Sequence, residues 1–206
     1  MSYRLRLLRD TDLETVMQWR MKPEVTRYMY TDPQLTLDGQ RQWLQRLQRS
    51  DRDQVWIIEL LDGARPVGLL SLTEIDRVNG RCSWAYYLGE SDVRGAGLAR
   101  SLELNVYAWV FDVLGLNKLC CEVLDFNDRV VALHEKFGSQ VEGRLRQHIC
   151  KNGQFHDVIR MAMLRSDWPA VRERFHPTPV EIECPPGVTR PATATAAPAE
   201  PEAVTG

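Results

Sequence analysis

The sequence predicts a mixed α/β (α+β) fold, in which a mostly antiparallel sheet is flanked by helices and closed by a final β-hairpin. Three observations predict it. Short alternating or β-rich runs recur between turn signals. Four other stretches carry apolar residues at helical spacing. The two kinds of segment are interleaved along the chain rather than grouped.

Tyr3–Leu8 alternates and reads as the first strand. Thr11-Asp12-Leu13-Glu14 has the form of a capping box and starts a helix with Leu13, Val16 and Met17 on one side, stopped by Pro23. Met21–Pro33 is a connector carrying Arg27, Tyr28, Met29 and Tyr30. Thr36 caps a second helix whose apolar positions are Leu37, Trp43, Leu44 and Leu47. Strands follow at Val55–Leu61, Pro66–Asp76 and Arg81–Leu88, separated by the turn signals Asp62-Gly63 and Asn79-Gly80. Leu98, Leu102, Val106, Trp109, Val110 and Val113 mark a long helix ended by Gly115. Lys118–Leu124 is the next strand, and Asn127 caps a short helix closed by Gly138. Val141–Cys150 and Phe155–Leu164 form the closing hairpin around Asn152-Gly153.

The 206 residues suit one domain, over 1–170, with a Pro/Ala-rich tail over 171–206. Seven of the eleven prolines lie in the last 31 residues, so the tail is expected to be disordered. Twenty-six basic against 28 acidic residues give no reason to expect nucleic acid. The five cysteines include no C-x-x-C pair and leave one over, which disfavours both a disulfide framework and a zinc site. No apolar run is long enough for a membrane span or a signal peptide, so the expectation is a cytoplasmic protein with no membrane partner.

The most informative stretch is Ser83–Ala99. A buried strand runs into a glycine-containing turn, Arg94-Gly95-Ala96-Gly97-Leu98-Ala99, that opens a helix. Such a helix start presents free N–H groups and a positive dipole end, a site for phosphate that Arg94 can supplement with its charge. The turn lacks the Gly-Lys-Ser/Thr of a triphosphatase and the G-x-G-x-x-G of a dinucleotide site.

Downstream, Asn127-Asp128-Arg129-Val130-Val131-Ala132-Leu133-His134-Glu135-Lys136-Phe137-Gly138 follows the next strand. Together the two elements resemble the GNAT superfamily of acyl-CoA-dependent N-acyltransferases, over about Tyr3–Trp168. The resemblance implies a GNAT-like sheet, acetyl-CoA as co-substrate and no metal. It implies that the N–H groups of Gly95, Ala96, Gly97, Leu98 and Ala99 hold the pyrophosphate beside Arg94. The pantetheine arm would lie along Tyr86, Tyr87 and Leu88, within reach of Asn127. His134 stands where the family usually has tyrosine, the proton donor to the departing sulfur, and Ser139 where it usually has phenylalanine.

Trp19-Arg20-Met21-Lys22-Pro23-Glu24-Val25, Met29-Tyr30 and Trp43 resemble more narrowly the PseH-type branch. That branch acetylates UDP-linked amino sugars for pseudaminic acid and flagellin glycosylation. The same branch borders ribosomal-protein N-terminal and spermidine acetyltransferases, and a non-catalytic acyl-CoA-binding module is a further alternative. Met21–Gln48 holds only Glu24, Asp32 and Asp38 as carboxylates, fewer than its basic residues, which weighs against a polycation. Arg20 and Arg27 suit a diphosphate, while Met29 and Tyr30 can pack on a uracil. A homodimer is compatible with this reading. Glu122, a glutamate at mid-strand beside the presumed thioester, is the expected general base, with partial burial raising its pKa. Glu74 and Tyr86 stand in reserve. His134 is either the acid or a histidine packed under the sheet with Val130 and Phe137.

Overall fold

The computed structural model describes residues 2–95 and 97–190. Eight strands form one sheet: β1 (Tyr3–Leu7), β2 (Gln54–Leu60), β3 (Arg65–Asp76), β4 (Arg81–Leu88), β5 (Lys118–Leu124), β6 (Gln140–Lys151), β7 (Gln154–Leu164) and β8 (Glu181–Ile182). Their order across the sheet is β6-β7-β5-β4-β3-β2-β1-β8. All neighbours are antiparallel except β4–β5 and β1–β8. The mixed, mostly antiparallel fold class is therefore the one the sequence predicts.

Helices cover both faces. α1 (Leu13–Met21), the single turn α2 (Pro23–Thr26) and α3 (Leu37–Gln48) lie toward one face. Leu13, Val16, Trp19 and Leu44 pack there on Val55, Ile57 and Leu69, with Tyr87 beside them. The other face carries α4 (Leu98–Ala108), continued by a π-helical turn over Trp109–Val113, together with α5 (Asp128–Lys136) and α6 (Trp168–Phe175). Trp56, Leu70, Trp84, Leu102, Tyr107, Phe111, Cys121 and Phe137 make the larger core on that side. The alternation of each strand thus sends even and odd residues to different chemistries.

Thr36 caps α3 as expected, its hydroxyl accepting from the Gly39 N–H at 3.2 Å. The start of α1 differs from the predicted capping box. Its carboxylate comes from Asp12, which accepts from the Arg9 N–H at 2.9 Å and binds both terminal nitrogens of Arg6 at 2.7 and 2.8 Å. Asp12 is buried, and the ion pair fixes it facing inward, where the sequence alone showed only a polar helix start.

The tail, expected to be unstructured from residue 171, is structured as far as it is described. α6 crosses the predicted boundary, and β8 adds to β1 in parallel through Arg4↔Glu181 and Leu5↔Ile182. Trp56 Nε1 donates to the Glu183 carbonyl at 2.8 Å, and the buried Asn105 amide accepts from the Val180 N–H and donates to the Thr178 carbonyl. Residues 191–206 lie outside the described residues. Truncation after Phe175 removes these partners and re-exposes Ile182's apolar neighbours. Urea titration is expected to show a loss of about 2–4 kcal/mol.

Candidate active site

The site begins where β4 and β5 part. They pair only through Arg81↔Lys118, Cys82↔Leu119 and Ser83↔Cys120. Beyond that point β4 stays with β3 as far as Leu88, and β5 stays with β7 as far as Leu124. The two strands diverge as a fork. The backbone groups of Trp84–Leu88 on the side away from β3 are left without a strand partner. Such groups need a ligand or water.

At the open end of β4 the chain turns into α4. Gly95 and Gly97 have φ of +86° and +80°, in the region that favours glycine, and a Cβ at either would meet nothing within 4 Å. Gly97 is the left-handed N-cap of α4, and no side chain caps it. The first N–H groups of α4, from Leu98 onward, therefore face outward at the positive end of the helix dipole. Arg94 is exposed beside them, with Nη2 donating to the Leu88 carbonyl at 3.3 Å. Ala96 lies outside the described residues. Asn127 is the N-cap of α5, yet its side chain makes no capping bond, leaving the amide available to the cleft. An elongated ligand with a diphosphate at one end and an amide-bearing arm fits this arrangement. Such an arm would meet the unpaired edge of β4, and the diphosphate the start of α4. Gly97→Val forces a β-branched residue into a left-handed conformation. The KM for acetyl-CoA is expected to rise at least tenfold in steady-state kinetics.

Trp19 of α1 presses directly on the end of β4. A Cβ on Gly89 would sit 2.2 Å from its ring, so only glycine allows this approach. Trp19 Nε1 donates to Glu90 Oε1 at 2.6 Å, and Lys22 Nζ donates to the Gly89 carbonyl at 2.8 Å. These bonds tie α1 to the entrance of the phosphate-binding turn.

Glu122 lies two residues past the last β4–β5 pair, on the face toward α1 and α3. The Tyr30 hydroxyl donates to its Oε2 at 2.8 Å. Arg160, its register partner on β7, places Nη1 3.9 Å from Oε1. Its side chain is 34% exposed, so the carboxylate is partly buried. Antiparallel pairing leaves that face of β5 open where no helix covers it. Burial and then the Glu122 contact raise the Tyr30 phenol well above its ordinary range, so Tyr30 remains a hydrogen-bond donor. Glu74 sits at the β3 bulge with φ +54° and accepts from the Ser83 hydroxyl at 3.2 Å.

His134 does not stand open to the cleft. It is 4% exposed, with its ring 5.5 Å from that of Trp84 and its Nδ1 2.8 Å from Oε1 of the fully buried Glu103. The same oxygen accepts from the Tyr107 hydroxyl at 2.6 Å, and that hydroxyl lies 3.0 Å from Ser139 Oγ. Burial by itself would lower the imidazolium pKa. Contacts with Cys121 and Glu103 outweigh it and push the value up to about 10. The histidine is therefore a member of a buried core network, which favours the packed reading of the two that the sequence left open.

Of the remaining candidates, Arg20 lies close to Tyr87 on the α1 face. Arg27 is exposed and folds over the Tyr28 ring at 5.5 Å. Met29 is half-buried, and Leu88 packs on the larger core. The Tyr87 side chain packs toward α1, because odd residues of β4 face that way, while its backbone lies on the unpaired edge of β4. Sequence reasoning missed Glu103, Arg160 and the Trp19–Glu90 tie. The signal for Glu103 was present: it precedes Tyr107 by one helical turn on the inward flank of α4.

Among the described residues no group of three or more His, Cys, Asp or Glu could hold a metal ion, and no helix is long and apolar enough to cross a membrane.

A forked sheet with an uncapped, glycine-led helix at its mouth is a cleft for an elongated ligand that carries a diphosphate. The family model for the acetyltransferase (GNAT) domain matches residues 3–140. The chain belongs to that family and is an N-acetyltransferase. It is 30% identical over 132 residues to the SPbeta prophage-derived uncharacterized N-acetyltransferase YokL of Bacillus subtilis, covering 64% of this chain and 72% of that one. It is 28% identical over 167 residues to the spermidine N(1)-acetyltransferase of Escherichia coli K12, covering 81% and 88%. The solved spermidine N-acetyltransferase of Vibrio cholerae, in complex with CoA and spermine, superposes with a TM-score of 0.77 at 24% identity. That match covers 82% of this chain and 98% of the other and supports the fold.

Proposed function

We propose that the protein transfers the acetyl group of acetyl-CoA to the primary amine of a small molecule, with Glu122 as general base. The observation that carries this reading is the position of Glu122. Its carboxylate stands on the open face of the fork, oriented by the Tyr30 hydroxyl. A primary alkylamine resembles lysine, at about 10.4, and arrives protonated at neutral pH. It must lose a proton before it can attack a thioester. Glu122 takes that proton, directly or through one water. The free amine then attacks the thioester carbonyl of acetyl-CoA: the C–N bond forms, the C–S bond breaks and CoA leaves as the thiolate. The proton that the nitrogen gives up on becoming an amide passes through water to that sulfur. The α4 N-terminus and the unpaired edge of β4 orient acetyl-CoA from the other side of the sheet. In this reading His134 holds α5 to α4 beneath the fork as the counter-ion of Glu103.

The relatives named above include spermidine acetyltransferases, which supports a small amine. The nucleotide-linked amino sugar expected from sequence has no counterpart among them. The test is a CoA-release assay with diamines, monoamines, amino sugars, a UDP-linked amino sugar and a peptide N-terminus, with products identified by mass spectrometry. Turnover of small primary amines is expected. Turnover of the peptide or the UDP-sugar alone, or acetyl-CoA binding with no turnover, contradicts the proposal.

A further inference from the structure

Among the described residues three buried side-chain polar atoms have no hydrogen-bond partner: Arg20 Nη1, the Tyr87 hydroxyl and Glu103 Oε2. Glu103 belongs to the core network already described. The other two belong to the face toward α1 and α3, Arg20 on α1 and Tyr87 on β4 beneath it. Tyr87 meets Trp19, the residue before Arg20, edge to face at 6.5 Å. The Arg20 charge offsets part of the rise that burial imposes on the Tyr87 phenol, which stays a neutral donor. The carboxylate at that end, Glu90, is engaged by the Trp19 indole and lies 3.5 Å from Lys22 Nζ. Among the described residues the Arg20 guanidinium makes one side-chain hydrogen bond, a long one from Nη2 to Thr31 Oγ1 at 3.4 Å.

A buried guanidinium nitrogen and a buried hydroxyl without partners are costly to leave unmet. Both can donate, and one carries a positive charge. An oxyanion satisfies them together. Tyr87 and Glu122 lie on the same face of the sheet, on the two arms of the fork. From the last pair, Ser83↔Cys120, Tyr87 is four residues on and Glu122 two. The offset along the strand direction is about 7 Å, and the parting of the two strands adds to it, a span for an extended aliphatic chain.

We propose that Arg20 and Tyr87 form an oxyanion subsite, which selects acceptors carrying a carboxylate or phosphate a short chain away from the amine that Glu122 deprotonates. This rests on the small-amine reading above and narrows its substrate class. It also separates this protein from an enzyme specialised for polycations, for which Arg20, added to Arg160 beside Glu122, is repulsive.

The test compares four acceptors of matched length: an ω-amino carboxylate, an aminoalkyl phosphate, a diamine and an alkyl monoamine. In the wild type, kcat/KM for an oxyanion-bearing amine is expected to exceed that for the diamine and the monoamine by about 10- to 100-fold. The carboxylate and phosphate arms identify which oxyanion is taken. In Arg20→Gln the ratio of oxyanion to monoamine kcat/KM collapses toward one, chiefly through KM. Tyr87→Phe reduces it by a smaller factor. The wild-type ranking needs no variant and so stands even if one fails to fold. Turnover of the diamine or monoamine at or above the rate of the oxyanion amines overturns this inference alone, as does a ratio unchanged in Arg20→Gln. No turnover of any of the four overturns the small-amine reading with it.

Discussion

Glu122→Gln is expected to lower kcat for amine acetylation by about 10²- to 10⁴-fold near neutral pH, the range associated with loss of a positioned general base. Glutamine keeps the size of the side chain and can still accept from the Tyr30 hydroxyl. The Arg160 contact at 3.9 Å is long and solvent-exposed, so its loss changes stability little. What disappears is the capacity to take up a proton at the fork. The KM for acetyl-CoA is expected to stay within about twofold, because the phosphate-binding turn and the edge of β4 do not involve this side chain. Steady-state kinetics with both substrates varied separates the two parameters. A change confined to KM assigns Glu122 to binding rather than proton transfer.

His134→Ala is expected to produce the largest loss of stability of any single change considered, about 3–5 kcal/mol. It leaves the fully buried Glu103 carboxylate, and the Tyr107 hydroxyl on it, without their cationic partner. The same pair predicts a pH dependence. The folded imidazolium has a pKa of about 10, above the ordinary value of 6.5. Its contribution is fully present below about pH 6.5 and is lost as pH rises through 10. Urea midpoints of the wild type should therefore fall across that window, and the slope should disappear in His134→Ala. A variant that keeps the wild-type midpoint while losing activity assigns the histidine to chemistry instead.

The order of strands and helices was legible because each element carries its own local signal. The alternation of Lys118–Leu124 and the helical spacing from Leu98 to Val113 need no tertiary partner to be recognised. The glycine turn before α4 was legible for the same reason. The fork was not. Ser83–Leu88 and Cys120–Leu124 look like any adjacent strands, and only the sheet reveals that their pairing stops at Ser83↔Cys120. Long-range electrostatics was also hidden. Glu103 meets its partner only when α5 brings His134 against α4, and Asp12 only when β1 offers Arg6. β8 was missed because the segment around Ile182 is short and proline-flanked. Its order comes from what it meets, the β1 edge and the Trp56 indole, not from its own propensity. Glu122 was legible as a mid-strand carboxylate, but its partners Tyr30 and Arg160 were not, because both come from distant segments.

The central claim is that backbone amides after Arg94 and along the free edge of β4 grip the acyl-CoA. Hydrogen exchange followed by mass spectrometry, with and without acetyl-CoA, reads those amides directly. The account predicts that saturating acetyl-CoA slows exchange in peptides covering Trp84–Leu88 and Gly97–Arg100, with β1–β2 unchanged. Protection confined to other segments, or none at saturation, contradicts it.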